Sequence, residues 1–434
     1  MFIMLKLMAV FGWLHTVFDI KCAYLHATRD NCKRQIMKLT PRLTQQWVKK
    51  HPEDVKYVYK DCLFVLLVKA LYGLKDSGRL WYNHLTAFLL RIGFVVCESD
   101  PCMYCKWISI DNFAYVLTHV DDLFLVGLGV AFTSFRGLLA ATFPDFTEKS
   151  SDTFTYLGMT VIRNREAHSL TINQRSYIQS LLKTFDMTDC KPKATPAPAD
   201  LLLGKEDNSG PCDKTLFLSI LMSLMYMARI SRPDILFTVC YLATKSSCAT
   251  IKNLLDAKRV LRYLKGTINL ALIYVGSAYG VCICADASHG LYPDGKGQHS
   301  TVIKIGNTVV VRSTNKMKCI TLSSSESEIV GAADAATWVR WLYKLFKELR
   351  LPFTVPIRFE QDNLSTIQMI RNGPSFRRGK HMVIKGEFVR ELEVEGLIEI
   401  VYAPSADMDA DPYTKTYSEH QMVVYQERHF TQLE

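Results

Sequence analysis

The sequence predicts an α+β fold in which strand-rich and helix-rich segments occupy different parts of the chain. Short apolar runs flank Asp121 and Asp122, and their β-branched and aromatic residues are typical of buried strands. The segment 79–92 instead repeats apolar residues at helical spacing, and 214–267 is also apolar and helical. Strand patterns return at Val281 and are followed by a long helix. We therefore expect two strand-containing regions joined by a helical one.

Composition favours a globular protein with an anionic partner. The 434 residues suffice for two or three domains, each with its own core. The net charge of +10 favours nucleic acid, although a membrane surface also suits a basic balance. The 13 cysteines are odd in number and scattered, which indicates free thiols in a reducing compartment. Neither of the pairs Cys102/Cys105 and Cys282/Cys284 is followed by a second pair of ligands at zinc-finger spacing, so we do not expect a structural zinc.

The N-terminal segment 1–14 is apolar with few breaks. It faintly resembles a signal peptide but lacks a convincing small-residue cleavage site, so we interpret it as a core helix that ends near Gly12. No apolar run in the sequence approaches the roughly 20 residues that span a bilayer. The expectation is therefore a protein without a membrane partner.

The adjacent carboxylates Asp121 and Asp122 fall at the predicted tight turn of a hairpin. Neighbouring carboxylates between buried strands are costly unless they bind cations, and oxygen-rich sites suit magnesium. A magnesium pair can hold the attacking and leaving oxygens of a phosphoryl transfer. A solvated turn is the open alternative. The predicted strand 17–25 supplies a third carboxylate, Asp19, unless it is an edge strand whose aspartate faces solvent.

The segments between these strands are assigned from local pattern. Residues 30–60 are polar and basic and are expected to be irregular and partly exposed. The helix over 79–92 has Gly93 at its C-cap position. Residues 156–161 are predicted as a strand, and 174–185 as an amphipathic helix.

A connector and helices follow. Residues 191–198 are proline-rich and are expected to form a semi-rigid connector, and 205–213 are polar and expected to be exposed. The last helix, 250–265, carries a basic stripe consisting of Lys258, Arg262 and Lys265. This stripe could follow a phosphate backbone, and a solvated lysine face is the equally open alternative.

A second set of carboxylates lies in the C-terminal part. Asp286 falls near the end of a predicted strand, Glu328 near the start of a long helix, and Asp362 at the end of another strand, while Asp411 opens a final segment. Ser325 and Glu328 also fit a capping box, which is the structural role open to Glu328. Four acids placed in this way suit a site for two cations about 4 Å apart with water as the nucleophile.

Several motifs, taken in order, resemble the reverse transcriptases of copia-type LTR retrotransposons. They are Phe18-Asp19-Ile20-Lys21-Cys22-Ala23-Tyr24-Leu25, Ala70-Leu71-Tyr72-Gly73-Leu74-Lys75-Asp76-Ser77, Arg79-x-Trp81-Tyr82, Glu98-Ser99-Asp100-Pro101-Cys102 and Val120-Asp121-Asp122. The resemblance implies a palm domain with Asp19, Asp121 and Asp122 as the metal-binding carboxylates.

The same resemblance assigns residues to the substrate. It implies that Tyr24 lies beside the sugar of the incoming nucleotide and excludes a 2′-hydroxyl by its volume, with a core tyrosine on a strand as the alternative. It also places Tyr72, Gly73 and Lys75 beside the substrate, and it favours nucleic-acid contact for Lys258, Arg262 and Lys265. The sequence departs from the family at His119, usually an aromatic residue, and at Gly78, usually proline.

The C-terminal part resembles the ribonuclease H domain of the same polyproteins. The matching motifs are Ala285-Asp286-Ala287, Leu322-Ser323-Ser324-x-Glu326-x-Glu328, Gln361-Asp362-Asn363, Gly379-Lys380-His381, Phe388-Val389-Arg390-Glu391-Leu392 and Ala410-Asp411-Pro412-Tyr413-Thr414-Lys415. The resemblance implies that Asp286, Glu328, Asp362 and Asp411 are metal ligands. Glu328 is preferred to Glu326 because Glu328-Ile329-Val330-x-Ala332 matches the helical pattern of the family. The first three acids should therefore converge, with Asp411 at the margin.

The resemblance implies an organisation and a function. Residues 1–190 are expected to form the palm and incomplete fingers of a reverse transcriptase, 191–277 a linker with a helical thumb or connection, and 278–434 a ribonuclease H-like α/β domain. The chain begins later than the family's fingers and is expected to be an N-terminally truncated copy.

The implied enzyme is an RNA-directed DNA polymerase, a nucleotidyltransferase, with ribonuclease H activity. It would use two Mg²⁺ ions, or Mn²⁺, in each active site. Its implied partners are an RNA template, a DNA primer, RNA–DNA hybrids and deoxynucleoside triphosphates. A retrotransposon product of this kind, associated with DNA integration, is expected to be intracellular, either in cytoplasmic virus-like particles or in the nucleus. A catalytically decayed, nucleic-acid-binding remnant is the alternative.

Overall fold

The computed structural model describes residues 1–30, 32–199, 201–202, 209–276, 279–372 and 380–433. The helices are α1 Phe2–Phe11, α2 Pro41–Lys50, α3 Ser77–Arg91, α4 Gly129–Thr133, α5 Phe135–Thr142, α6 Arg175–Thr184, α7 Lys214–Ile230, α8 Leu236–Ala243, α9 Ile251–Gly266, α10 Ser324–Glu348, α11 Leu364–Asn372, α12 Lys380–Val394 and α13 Glu419–His429. The strands are β1 Leu14–Ile20, β2 Ile36–Lys38, β3 Phe64–Leu66, β4 Val95–Val96, β5 Met103–Ser109, β6 Asn112–His119, β7 Asp122–Leu128, β8 Phe146–Lys149, β9 Thr153–Tyr156, β10 Met159–Asn164, β11 Ser169–Asn173, β12 Leu270–Val275, β13 Val281–Ser288, β14 Lys296–Ile305, β15 Thr308–Ile320, β16 Ile357–Gln361, β17 Ile398–Tyr402 and β18 Phe430–Gln432. This mixture of helices and largely antiparallel sheets confirms the predicted α+β class.

Residues 14–150 form one compact unit around a six-stranded sheet in the order β4-β5-β6-β7-β1-β8. Helix α3 buries Trp81, Leu85 and Phe88 in the same apolar cluster as residues of β1, β6 and β7, as its helical spacing predicts. Strands β6 and β7 are joined by the two-residue turn Val120-Asp121. The predicted hairpin is therefore present, and the carboxylates lie at its tip.

Residues 1–13 and 151–434 form the other compact unit, which contains two five-stranded sheets. The first has the order β18-β12-β11-β10-β9 and is antiparallel throughout. Helix α1 belongs to this unit, is largely buried, and ends at Gly12, whose φ of 70° is a left-handed conformation that favours glycine. The predicted N-terminal core helix is thus confirmed.

The second sheet has the order β15-β14-β13-β16-β17. Strands β13, β14 and β15 form an antiparallel meander, whereas β16 runs parallel to β13, and β17 parallel to β16. The 25-residue helix α10 buries its apolar face, which includes Ile329, Ala332 and Val339. This combination of antiparallel and parallel strands with a long packed helix is the predicted ribonuclease H-like α/β domain.

The structure corrects the assignment of residues 30–60 as irregular. Thr40 caps α2 by accepting a hydrogen bond from the Leu43 backbone, and Pro41 occupies the first helical turn, where its missing N–H costs nothing. Leu43 and Trp47 are one helical turn apart but remain partly exposed. The low apolar content of this amphipathic helix hid it from the sequence pattern.

Two predicted strands were also wrong in extent. The strand over 17–25 ends at Ile20, and Ala23–His26 is a 3₁₀ helix. The segment 156–161 is not one strand, because Leu157 and Gly158 both have positive φ and form the turn between β9 and β10. An apolar run conceals such a turn, and only its glycine signals it.

Residues 191–198 are irregular, and the described part of 205–213, from 209 onward, is mostly exposed. The compact units divide at 13/14 and 150/151 and do not follow the predicted boundaries at 190 and 277, which remain predictions. In the described part of the chain, no helix is both long and apolar enough to cross a membrane. None of the 13 cysteines is in a disulfide.

Candidate active sites

The first candidate site lies on β1 and the hairpin of residues 14–150. Asp19 near the end of β1 pairs across the sheet with Asp122 at the start of β7, and Asp121 occupies the turn. The Ile20 backbone N–H donates to the Asp121 carbonyl oxygen at 3.0 Å. The structure therefore brings the three predicted palm carboxylates to one end of the paired strands β1 and β7.

Neighbouring groups hold this end of the sheet. The Trp81 indole N–H donates to the Val120 carbonyl oxygen at 2.6 Å and fixes the turn, where Val120 has a φ of 57°. Lys21 forms an ion pair with Asp19, and the Thr147 hydroxyl donates to the same carboxylate at 3.3 Å. Burial, followed by the charges of Asp121 and Asp19, raises the pKa of Asp122.

The palm carboxylates are close but do not form a compact ligand cluster. In the part of the chain that the structure describes, two groups of three residues have ligand atoms that all lie within 4.8 Å of one another, and Asp19, Asp121 and Asp122 are not among them. The Lys21 ammonium group compensates part of the negative charge at Asp19. The proposed role of these acids as metal ligands remains a prediction.

The predicted substrate residues lie on two local segments. Tyr24 is on the 3₁₀ helix rather than on a strand, and its ring is 4.6 Å from the half-exposed ring of Tyr72. Burial and then the charge of Asp121 raise the pKa of Tyr72, so this pair of rings borders the carboxylates. Gly73 has a φ of 95°, which favours glycine, and Lys75 is exposed.

Two of the three basic residues on α9 have structural partners. Arg262 donates to the Lys191 carbonyl oxygen at 2.6 Å, and Lys265 donates to that of Cys190 at 2.8 Å. Lys258 lies on the same helix and is half-buried. The first two residues therefore fasten the start of the connector, and contact of this stripe with nucleic acid stays a prediction.

The second candidate site unites acids from three elements of the C-terminal sheet. Asp286 is on β13, Glu328 is in the second turn of α10, and Asp362 directly follows β16. One carboxylate oxygen of each lies within 4.8 Å of the others. Parallel pairing of β13 with β16 brings Asp286 and Asp362 to the same edge, and α10 packs along β13. The predicted convergence is present.

Each of these carboxylates accepts a hydrogen bond from a polar neighbour. The Thr414 hydroxyl donates to Asp286, the Gln361 amide to Glu328 at 3.3 Å, and the Ser405 hydroxyl to Asp362 at 2.7 Å. Thr414 and Gln361 lie within the motifs 410–415 and 361–363, although the sequence did not predict these hydrogen bonds. Nothing in the sequence around Ser405 pointed to this contact.

Burial and the neighbouring acids raise the pKa values of two carboxyl groups at this site. Asp286 and Glu328 are each only 5% exposed. Burial, followed by the charges of the other acids, raises the pKa of Glu328 to about 9. Burial likewise raises the pKa of Asp286 to about 6, where the Thr414 hydrogen bond opposes the shift and the charges of Asp411 and Asp362 add to it. A bound cation would relieve this repulsion.

Asp411 lies at the margin of the cluster. It opens the 3₁₀ helix Asp411–Tyr413, forms an ion pair with Lys415, and accepts a hydrogen bond from the Tyr417 hydroxyl at 2.8 Å. It is not part of the group within 4.8 Å, but its charge contributes to the raised pKa of Asp286. This is the marginal position that we predicted.

The helix start separates the two candidate glutamates. Ser323 is the N-cap of α10 and accepts a hydrogen bond from the Glu326 backbone, while the Glu326 carboxylate accepts one from the Leu322 backbone at 2.7 Å. The predicted Ser325/Glu328 capping box was therefore wrong by two residues, because the helix begins at Ser324. Glu326 caps the helix, and Glu328 faces Asp286.

A third cluster contains thiols. Cys282, Cys284 and Glu360 also offer ligand atoms within 4.8 Å of one another. However, the Lys304 ammonium group lies 3.1 Å from Glu360, and the Cys284 thiol donates to Glu360 at 3.0 Å. Hydrogen bonding to Cys282 and burial raise the pKa of Cys284, so its thiol is protonated. The position beside Glu360 already holds a cationic group.

Comparisons with known proteins agree with these features. Residues 2–199 match the family model described as reverse transcriptase (RNA-dependent DNA polymerase). The chain is 27% identical over 410 residues to the Retrovirus-related Pol polyprotein from transposon TNT 1-94 of Nicotiana tabacum, a match that covers 92% of this chain and 29% of that protein. It is 30% identical over 354 residues to the corresponding polyprotein from transposon RE1 of Arabidopsis thaliana, covering 81% and 24% respectively.

Among solved structures, the N-terminal RNase H domain of rv2228c from Mycobacterium tuberculosis, fused to maltose-binding protein, is 14% identical and has a TM-score of 0.24. That match covers 35% of this chain and 98% of the other. Residues 2–199 thus carry a reverse transcriptase domain. The chain is a relative of the Pol polyproteins of copia-type retrotransposons. It spans 29% of the length of the tobacco polyprotein and 24% of the length of the Arabidopsis polyprotein.

Proposed function

We propose that the C-terminal domain, about residues 278–434, hydrolyses the RNA strand of RNA–DNA hybrids with the aid of two divalent cations. The observation that carries this proposal is the convergence of Asp286, Glu328 and Asp362 within 4.8 Å. Two-cation hydrolases of phosphodiesters need several carboxylates around ions roughly 4 Å apart. The comparisons support a retrotransposon polymerase and ribonuclease H region as the setting.

The donor set fits magnesium or manganese. All three side chains offer carboxylate oxygens, which these ions prefer. The raised pKa values of Asp286 and Glu328 show that burial and the neighbouring acids make these carboxyl groups costly to ionise in the metal-free protein, a cost that a bound cation would lower. Asp286, Glu328 and Asp362 would hold the ions, and Asp411 would complete the site from its margin.

The chain's own residues orient the ligands. Thr414, Gln361 and Ser405 each hold one carboxylate by a hydrogen bond, and such outer partners fix the direction of metal ligands. Lys415 and Tyr417 hold Asp411. When bound, the two cations would stabilise charge on the attacking water and on the leaving 3′ oxygen of the cleaved phosphodiester.

The direct test is cleavage of a labelled RNA–DNA hybrid by the full chain in magnesium or manganese. We expect cutting of the RNA strand only, and Asp362→Asn should abolish it while the protein still binds the hybrid. Glu326→Gln, which changes an acid two residues from the site, should cut at nearly the parent rate. Undiminished cutting by Asp362→Asn would refute the assignment.

We further propose RNA-directed DNA polymerase activity for the palm carboxylates. The support is the family match together with the placement of Asp19, Asp121 and Asp122 at one end of β1 and β7. Primer extension on an RNA template, with magnesium and deoxynucleoside triphosphates, tests this. An Asp121→Asn, Asp122→Asn double variant that extends at the parent rate would contradict it.

A second candidate function for the palm is nucleic-acid binding without polymerisation. The ion pair between Lys21 and Asp19, and the absence of the palm acids from the compact ligand groups of the described residues, favour it. Lys21→Ala distinguishes the two, because release of Asp19 should increase extension in an active polymerase and change nothing in an inactive one. Localisation to cytoplasmic particles or the nucleus remains part of the proposal.

A further inference from the structure

One of the four acids at the C-terminal site has a cationic partner from its own segment. Lys415 follows Asp411 by four residues, and its ammonium group forms an ion pair with Oδ1 of Asp411. The other three acids instead lie with carboxylate oxygens within 4.8 Å of one another; they are Asp286, Glu328 and Asp362. The site therefore consists of three acids that face each other and a fourth that faces a lysine.

Hydrogen bonds fix the turn that carries Asp411 beside Asp286. The buried Ser300 hydroxyl donates to the Ala410 carbonyl oxygen at 2.7 Å, and Ser300 is the partner of Asp286 across β13 and β14. The Thr414 hydroxyl donates to the Asp286 carboxylate and lies 3.1 Å from the Asp411 carbonyl oxygen. Asp411 and its lysine partner therefore border the three acids on the side of Asp286.

The two members of this ion pair differ in their exposure to solvent. The Asp411 side chain is 6% exposed, whereas the Lys415 side chain is 48% exposed. The second carboxylate oxygen of Asp411, Oδ2, accepts a hydrogen bond from the Tyr417 hydroxyl at 2.8 Å. Because Asp411 is buried and held on both oxygens while Lys415 is half in solvent, the lysine is the member of the pair that can move away.

The charge of Lys415 acts on the neighbouring acids as well as on Asp411. Burial lowers the pKa of Lys415, but the hydrogen bond and the charge of Asp411 outweigh burial. The charges of Asp286 and Asp362 raise the same pKa further. At Asp286, where burial is the main cause of the raised pKa, the charge of Lys415 opposes the rise. The ammonium group thus interacts with three of the acids that would hold cations.

The balance of charge shows what this contact means for metal binding. When all four carboxylates are ionised, two divalent cations would neutralise them. With the Lys415 ammonium group in place, a single divalent cation leaves only one negative charge. A second cation must then either displace the lysine from Asp411 or bind beside an ammonium group that repels it.

We propose that Lys415 competes with the second divalent cation by occupying its position beside Asp411 in the metal-free protein. This inference rests on the proposed two-cation function and concerns the order in which the site is filled. The first ion binds at Asp286, Glu328 and Asp362. The second binds more weakly, because the lysine side chain must first turn into solvent, and both positions are filled at high metal concentration.

The test counts bound ions and does not measure cleavage. The full chain is titrated with manganese in the absence of nucleic acid, and free Mn²⁺ is measured by electron paramagnetic resonance. Every protein carries Asp121→Asn and Asp122→Asn, so that these palm acids do not contribute. Lys415→Gln, which removes the charge, is compared with Lys415→Arg, which keeps it, and with Lys347→Gln at an exposed position near the end of α10.

We expect Lys415→Gln to tighten the second binding step by roughly ten-fold or more, because a charged hydrogen bond to a buried carboxylate no longer has to be broken. The first step should change by less, and Lys415→Arg and Lys347→Gln should bind manganese as the parent does. In EDTA, Lys415→Gln should melt at a lower temperature than the parent, since the buried Asp411 loses its partner. Manganese should raise its melting temperature by more than that of the parent.

Crystals of the parent provide a second measurement that needs no variant at Lys415. As manganese is increased in the soak, the anomalous peak at the three mutually facing acids should appear first. A second peak, on the Asp411 side of Asp286, should appear only at higher concentration and together with a Lys415 side chain that has left Asp411. A second peak with the ion pair intact would overturn the proposal.

The outcomes separate this proposal from the proposed function. If Lys415→Gln binds the second ion no more tightly than the parent, the proposal for the lysine alone is overturned. If the parent binds no more manganese than Glu328→Gln, the proposed two-cation function fails, and the proposal for the lysine fails with it.

Discussion

Replacing Glu328 by glutamine should stabilise the metal-free protein while destroying its proposed cation site. Glutamine keeps the size of the side chain and can still accept the hydrogen bond from Gln361, but it carries no negative charge. Glu326→Gln is the matched control, because Glu326 is half-buried and caps α10 without facing the cluster. The two substitutions lie two positions apart, but only Glu328→Gln removes a carboxylate from the cluster with Asp286 and Asp362.

The magnitude follows from the raised pKa of Glu328, which moves from an ordinary 4.5 to about 9. Between these values the folded protein keeps a proton that the unfolded chain has lost, so the free energy of unfolding falls as pH rises. At 1.36 kcal/mol for each pH unit, this loss reaches roughly 3 kcal/mol at neutral pH. Because Asp286 shares the repulsion, we expect Glu328→Gln to gain about 1–3 kcal/mol relative to the parent.

The assay is urea unfolding of the full chain at several pH values, in EDTA and then in magnesium. In EDTA the gain of Glu328→Gln over the parent should be small below pH 4.5 and grow as pH rises. Magnesium should stabilise the parent and Glu326→Gln, as expected when an ion binds only the folded state, but not Glu328→Gln. A Glu328→Gln protein that is less stable than the parent in EDTA at neutral pH would refute the reasoning.

Three other perturbations have defined outcomes. Trp81→Phe removes the indole N–H that bonds the Val120 carbonyl, so urea unfolding should show a loss of about 1–3 kcal/mol, and no loss would contradict its role in fixing the turn. Asp409→Asn removes the buried carboxylate that pairs with His429 and one of the two that pair with Lys304, the other being Glu360, and should cost about 3 kcal/mol, whereas Asp407→Asn at an exposed site should cost little. Burial raises the pKa of Asp409, but His429 and Lys304 outweigh it and hold that pKa below its ordinary value, so the stabilising effect of Asp409 is present above the ordinary value and should disappear as unfolding is measured toward acid pH. Tyr24→Ala should raise ribonucleotide incorporation in any preparation that extends primers, and an unchanged preference would show that Tyr24 only packs on Tyr72.

The sequence predicted best those features that depend on strongly periodic or motif-bearing segments. The α+β class, the hairpin with Asp121 at its tip, the helix around Trp81 and the convergence of the C-terminal acids all follow from such segments. For Glu328, the match to a helical motif chose the residue that faces Asp286. The predicted capping role of Glu328 was wrong, because helix propensity cannot decide which of the three serines 323–325 is the N-cap.

Other features needed the three-dimensional structure. Helix α2 has too few apolar residues to show a clear periodicity, and the turn at Leu157-Gly158 interrupts an apolar run without a polar signal. The hydrogen bond from Ser405 to Asp362 joins residues 43 positions apart, so no local pattern reports it. Arg262 and Lys265 looked like a solvent-facing stripe because carbonyl partners in the connector cannot be inferred from spacing.

The location of bound metal tests the central claim most directly. Crystals of the full chain soaked in manganese would show the ions by anomalous scattering, independently of any assay of activity. We predict two peaks roughly 4 Å apart between Asp286, Glu328 and Asp362, and their loss in Glu328→Gln but not in Glu326→Gln. A peak at Cys282, Cys284 and Glu360 with none at the three acids, or peaks that persist in Glu328→Gln, would contradict the account.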